Sequence, residues 1–333
     1  MDLVTYLLGA GASAQCLPIV KDLSKRIRVI SQKLRVENAN FKYRQSIQMN
    51  DKTINQSALV NNMCDDLDWM ANECDKHSSI DTFAKKLFIL GKKESYIRLK
   101  TILSIYFTLE QKENSIDLRY DNFWASILDA KDKFQLNLRL LSWNYDFQLE
   151  QSYLNFSDNR TLLDSCSSLS VRSFWDANRD TNADGFSVYK LNGSATILDR
   201  EGSPAYFSDS LDDDKVFYDN LIYRYGLLNE FPGYKRNLSF AWEHNLNDPY
   251  FKEMKASLKQ TKTLVVIGYS FPYFNRKIDR YIIECMPFLE KIYFQAPDAS
   301  NLKERFSAIN NTFDSNDLLL RIDLDQFAFP NEL

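Results

Sequence analysis

The chain has 333 residues, a formal net charge of -4, 44% hydrophobic and 14% aromatic side chains. That much apolar material excludes a disordered chain and is enough for a sizeable core in a chain of about two domains' length. The slight acidity speaks against a dedicated nucleic-acid binder, which usually carries a basic face.

Five cysteines are scattered through the chain with no C-x-x-C pair, and the number is odd. Reduced thiols are expected, not disulfides or zinc. Cys64 and Cys74 stand without a second pair, so they make no zinc signature. No basic segment follows Met1-Asp2, and no apolar run approaches the roughly 18 residues of a membrane span. A cytoplasmic protein without membrane association is expected.

Residues 3–8, LVTYLL, form an apolar run ending in glycine. A helical pattern follows at Leu17, Val20, Leu23, Ile27, Ile30 and Leu34. Strand, glycine turn and helix open an α/β unit. Residues 36–60 are polar and read as a loop. From 61 to 133 the periodicity is helical, with Ile80, Phe83, Ala84, Leu87 and Phe88 on one face and Ser78 as the expected N-cap. This block is long for one crossover helix, so it reads as a helical insertion and the best candidate for partner contacts.

Strands resume at 136–143, 186–192, 263–269 and 291–296. Each is short and mostly apolar, as strands of a parallel sheet covered on both faces should be. Residues 195–240 are expected to form loops and short helices. The fold class is therefore α/β: a Rossmann-like parallel sheet with helices on both faces, built from 1–36 plus 134–333, with a helical insertion at 37–133.

Ligands of such sheets bind beyond the carboxyl ends of the strands. After the first strand, Gly9-Ala10-Gly11-Ala12-Ser13-Ala14 fits G-x-G-x-x-A, which serves either a pyrophosphate or a tight βα turn. The acidic residue typical of a dehydrogenase, about 20 positions further on, is missing. After the next strand, Asn144 and Asp146 share one direction if the chain stays extended. They could hold a ribose or a water, or cap the helix expected from Phe147 to Tyr153. The third of these strand ends is Asn192-Gly193-Ser194. The fourth is Gly268-Tyr269-Ser270-Phe271-Pro272, before a helix capped by Asn275. The fifth leads to Asp298, which could take ribose hydroxyls or cap a helix from Asn301.

The Asp212-Asp213-Asp214 run reads as solvated, with no metal expected. The only histidines are His77 and His244. His77 reads as a capping or surface residue. His244 follows a possible strand, Leu238 to Trp242, and reads first as a structural histidine.

The stretches YLLGAGASA (6–14), SIDTFAKKL (79–87), SWNYD (142–146), KLNGS (190–194) and VIGYSFP (266–272), in this order, resemble the sirtuin-like family. They resemble most its bacterial branch of NAD-consuming defence proteins. The resemblance implies NAD+ as substrate and cleavage of the nicotinamide–ribose bond to nicotinamide and ADP-ribose; no metal is expected, since the chain carries no zinc signature. It also implies a role in antiphage abortive infection. Sirtuin deacylases carry a four-cysteine zinc ribbon, absent here, which favours plain hydrolysis. On this resemblance Asn144 positions water or ribose, Asp146 orients that group, and Asn192 bonds ribose hydroxyls. Gly9, Ala10, Gly11 and Ser13 cradle phosphates, Gly193, Gly268 and Ser270 approach the dinucleotide, and Asp298 lies near the adenosine ribose.

The departure is at Asn192, where the family places histidine. An amide cannot exchange a proton near neutral pH. An alternative is therefore a weak or inactive subunit that binds NAD or ADP-ribose as sensor or scaffold. The family resemblance further implies a homo-oligomer, with a partner ATPase or other defence subunit. An oxidoreductase is the weaker third class, for want of the spaced acidic residue and a hydride-site acid.

Overall fold

The computed structural model describes residues 2–18, 22–40, 42–43, 45–49, 52–128, 134, 137–159, 161–174, 185–198, 204–205, 214–231, 233–310 and 312–333. In chain order its strands are β1 (Leu3–Leu8), β2 (Ser46–Met49), β3 (Lys52–Asn55), β4 (Leu138–Ser142), β5 (Val171–Arg172), β6 (Ser187–Lys190), β7 (Ile197–Leu198), β8 (Pro204–Ala205), β9 (Lys235–Arg236), β10 (Thr261–Ile267), β11 (Lys291–Gln295) and β12 (Leu318–Arg321). Its helices are α1 (Leu23–Ala39), α2 (Gln56–Lys76), α3 (Ile80–Ile89), α4 (Lys93–Glu113), α5 (Leu118–Ile127), α6 (Gln148–Leu154), α7 (Leu162–Ser168), α8 (Asp214–Glu230), α9 (Pro249–Leu258), α10 (Arg276–Glu284) and α11 (Ala299–Ser307). Among the described residues no helix is long and apolar enough to cross a membrane.

The chain clusters into two compact units. One comprises Met1–Cys16, Ile116–Ser194 and Ser239–Leu333; the other comprises Leu17–Ser115 and Ala195–Leu238.

The first unit is built on a seven-stranded sheet in the order β12-β11-β10-β1-β4-β6-β5. Every pairing in it is parallel. Alternation along the strands feeds two cores. Leu7, Leu141, Tyr189, Leu264, Val266, Ile292 and Phe294 pack with the apolar sides of α9, α10 and α11. Val4, Tyr6, Leu8, Leu140, Val188, Val265 and Tyr293 pack on the other face with Tyr120, Phe123 and Trp124 of α5 and Leu149 and Tyr153 of α6. Two covered faces explain why the strands read as continuous apolar runs. From β1 the chain proceeds to β4 on one side; after β6 it returns to β10 on the other side of β1. The sheet order therefore reverses between β1 and β10, the position where open α/β sheets leave a crevice at their carboxyl ends.

The second unit is mostly helical. α1 lies along α2, tied by Asn38 Nδ2 donating to the Ser57 carbonyl at 3.1 Å and by the Arg35 ion pairs to Asp65 and Asp68. β2 and β3 form an antiparallel hairpin, and β8-β7-β9 a small sheet.

Several expectations are corrected here. The first helix belongs to the helical unit, because the helix it lies along is α2. The stretch 116–128 belongs to the sheet unit, because α5 buries its aromatic side on the sheet. Residues 36–60 hold the β2–β3 hairpin and not only loop, and 195–240 hold the 17-residue α8 and three strands. Ser79, not Ser78, caps α3, accepting from the Thr82 amide at 3.1 Å. Leu238–Trp242 is no strand; a short 3-10 turn spans Ala241–Glu243. Asp212 and Asp213 lie outside the described residues, and Asp214 opens α8.

Candidate functional site

The loop after β1 is fixed by its own backbone. The Gly9 amide donates to the Ile267 carbonyl at 2.9 Å, and the Gly11 amide to the Gly268 carbonyl at 3.0 Å. A Cβ on Gly268 would lie 2.4 Å from Gly11 Cα, and one on Gly11 would lie 2.6 Å from Gly268 Cα. Gly268 also has a φ of +60°, which favours glycine. These glycines thus let the β1 and β10 turns touch at the switch point. A 3-10 turn, Ala10–Ser13, follows, and the amides of Ala12, Ala14 and Cys16 bond within the loop.

The same loop is clasped by a buried ion pair. Arg119 Nη2 donates to the carbonyls of Gly11 and Ala12, at 3.1 Å each, while Asp117 holds the guanidinium at 2.6 and 2.9 Å. Asp117 also accepts from the Gln15 amide at 3.3 Å. The turn is therefore rigid from both sides, and most of its amides are already engaged in the protein.

Against this turn stand polar side chains from the ends of β4 and β6. Asn144 and Asp146 are each 6% exposed and Asn192 is 8% exposed. Asn144 Nδ2 donates to Ser13 Oγ at 3.4 Å, and that hydroxyl also bonds Tyr120 OH at 3.0 Å. Asp146 Oδ1 accepts the Gln148 amide at 3.2 Å, a turn contact just before α6; the N-cap itself is Phe147, without a side-chain cap bond, so Asp146 is not the cap. Burial pushes the Asp146 carboxyl above its ordinary pKa, partly opposed by the Lys190 ammonium. Lys190 Nζ donates to the Asp146 carbonyl at 2.6 Å and pairs with Glu150 at 3.2 Å, both side chains being fully enclosed. Burial raises Glu150 likewise.

Asn192 makes only long bonds. Its Nδ2 lies 3.5 Å from the Trp143 carbonyl and 3.4 Å from Tyr145 OH. Its Oδ1 is buried and has no partner among the described residues; neither has Trp143 Nε1. Buried acceptors of this kind cost free energy unless something supplies a donor. His244 does not face this role. Its Nε2 donates to the Leu191 carbonyl at 2.8 Å, and the Ser239 amide donates to the Asn192 carbonyl at 2.8 Å. The 239–244 segment thus clamps two successive carbonyls at the end of β6, and His244 is a structural histidine there.

The sequence-derived residues Gly9, Ala10, Gly11, Ser13, Asn144, Asp146, Asn192, Gly193 and Gly268 all lie at the carboxyl ends of β1, β4, β6 and β10. Two others stand apart from this cluster. Ser270 is exposed, its carbonyl taken by Arg305 Nη1 at 2.9 Å. Asp298 is exposed at the N-cap position of α11, where its carbonyl accepts the Asn301 amide at 2.9 Å. It follows β11, four strands from β6, or about 19 Å across the sheet. Asn275 precedes α10 without a side-chain cap and instead donates to Tyr269 OH at 3.1 Å. His77 lies in the helical unit as the C-cap of α2, bonded to the Glu73 carbonyl at 2.9 Å.

No family model matches the chain, and no curated protein matches it.

Sequence reasoning gave no role to Arg119, Asp117, Lys190 or Glu150, nor to the buried Tyr269 and Asp279, and gave Asn275 only that of a helix cap. Tyr269 OH donates to Asp279, with oxygens at 2.9 and 3.1 Å, and the Tyr269 ring stacks on Trp143 at 5.6 Å. Burial pushes the Asp279 carboxyl up to about 8. One signal was available: Lys190 is a charge inside an otherwise apolar strand, and such a residue is buried only with a partner.

Proposed function

We propose that the cluster at the ends of β1, β4 and β6 takes NAD+ and hydrolyses its nicotinamide–ribose bond, giving nicotinamide, ADP-ribose and a proton. The observation that carries this is the enclosed set Ser13, Asn144, Asp146 and Asn192 at the switch point, with an acceptor on Asn192 that has no partner among the described residues. A ribose hydroxyl is a donor of the right kind for that atom. In the reaction the C1′–N bond breaks with its electron pair passing to the pyridinium ring, so nicotinamide leaves neutral without an acid. The ribosyl cation is stabilised by the Asp146 carboxylate and by fixed dipoles. Asn144, held by Ser13, orients the attacking water, whose proton passes to Asp146 or to solvent. The touching glycine turns hold the loop rigid before the substrate arrives. This reading also supports a role in abortive antiphage defence, where NAD+ depletion halts the cell.

The test is nicotinamide release from NAD+ by purified protein and by the Asn144→Ala variant. Release by the first and its loss in the second supports the reading. Release that persists unchanged in the variant overturns the site assignment, and no release with no NAD+ binding overturns the function.

A second reading has one observation in its favour. His244 donates its Nε2 to the Leu191 carbonyl, so that nitrogen is not offered as a proton acceptor. A subunit that binds NAD or ADP-ribose as a sensor or scaffold needs no proton acceptor. Tight binding without turnover distinguishes it.

A further inference from the structure

The helical unit carries an exposed tip between α3 and α4. Residues 88–94 are all exposed, with Phe88 at 46%, Ile89 at 70% and Leu90 at 59%. A Cβ built at Gly91 meets nothing within 4 Å, so the turn projects into open space. Phe88 sets its ring against Tyr96 at 5.9 Å, while Ile89 and Leu90 stand exposed beside it; two adjacent exposed aliphatic residues on a projecting turn go beyond the ordinary case of single ones. The tip is also basic on balance: Lys86, Lys92 and Lys93 are exposed around it, against one exposed carboxylate, Glu94.

The sheet unit carries a surface of the opposite character. A groove of about 540 Å³ opens between the end of α10 and the segment before β12. Its floor is formed by the buried Ile283 and Met286 with the half-buried Leu289 and Phe313, and its lining is otherwise polar, with Glu284 and Asp317 among it. Neither carboxylate has an ion-pair partner among the described residues. Glu290, also in the lining, lies 3.5 Å from Lys262.

We propose that the α3–α4 tip of one copy of this chain docks into the α10–β12 groove of a second copy. The apolar side chains fill the groove, and Lys92 and Lys93 meet Glu284 and Asp317. Charge decides the pairing. Tip against tip brings together surfaces with an excess of lysines, and groove against groove sets carboxylates on carboxylates; tip in groove is the more complementary pairing. A contact between two different surfaces is head-to-tail, so an open assembly keeps one free tip and one free groove and grows as a filament unless a ring closes. The inference is independent of the nucleotide chemistry proposed for the sheet.

Sedimentation velocity over a range of concentrations tests it. The wild-type chain is expected to sediment above the mass of one chain, and Ile89→Ser to weaken that assembly. Lys92→Glu with Lys93→Glu, and separately Glu284→Lys with Asp317→Lys, are expected to sediment as single chains with unchanged circular dichroism. Mixing the two charge-reversed proteins makes both contacts complementary again and is expected to restore assembly. A wild-type chain that stays single at every concentration overturns the proposal. So do a charge-reversed tip or an Ile89→Ser variant that assembles like wild type, and a mixture that remains single chains.

Discussion

At the residue scale, the chemistry turns on an amide where a proton acceptor is expected. Asn192 sits at the end of β6, its Oδ1 without a partner among the described residues, at the same edge of the sheet as Asn144 and Asp146. Placing an imidazole there adds a general base, a change worth about 10²–10⁴ in rate where the geometry suits. Asn192→His is therefore expected to raise nicotinamide release, read by chromatography of the products; a variant that binds NAD+ yet turns over no faster means that the side chain does not face the ribose. Asp279 supplies a second test. Its carboxyl, walled by Tyr269, Asn275 and Arg276, is raised from 3.8 to about 8 by burial, against the hydrogen bond of Tyr269 and the charge of Arg276. The folded chain holds that proton and the unfolded chain releases it, so the stabilisation is complete below pH 3.8 and is lost as the pH rises toward 8. Melting temperatures of the wild type should fall between about pH 5 and about pH 8, and Asp279→Asn should flatten that fall. The positions of Asn144, Asp146 and Asn192 were legible because each directly follows an apolar run. Arg119 was not, since it reaches Gly11 across 108 residues of chain and its neighbours carry no pattern that announces it.

At the scale of elements, two fixed joints hold the strand ends. The first is the contact of the β1 and β10 turns. A methyl on Gly11 meets the Gly268 backbone at 2.6 Å, and backbone cannot swing aside as a flexible side chain would. Gly11→Ala is expected to cost about 1–3 kcal/mol, the usual range for overpacking, read as a lowered urea midpoint with unchanged slope. The second is Lys190, which ties β6 to the Asn144–Asp146 loop through the Asp146 carbonyl and Glu150. Lys190→Met leaves the enclosed Glu150 without its counter-charge, expected to cost about 3–5 kcal/mol; the double variant with Glu150→Gln should recover part of it. Equal stability in the single and double variants would contradict that coupling. The main strands were legible in the sequence, since two covered faces make each a short apolar run. β5 and β12 were not: one has two residues, and the other ends in Arg321 at the sheet's edge.

At the scale of the molecule, the α/β class with a helical insertion was readable from the alternation of apolar runs and helical periodicity. The partition between the units was not. Periodicity shows that α1 and α5 each bury a side but says nothing of what covers it. α1 went to α2 and α5 to the sheet, while 195–238 joined the helices through contacts far apart in sequence, such as Lys112 with Asp214 at 2.9 Å. The central claim is that the switch-point cluster of the sheet unit receives a dinucleotide. A crystal structure of the protein with ADP-ribose measures this most directly. A ribose hydroxyl within hydrogen-bonding distance of Asn192 Oδ1, with Asn144 beside the same sugar, is the expected result. ADP-ribose bound elsewhere, or none bound at saturating concentration, would contradict it.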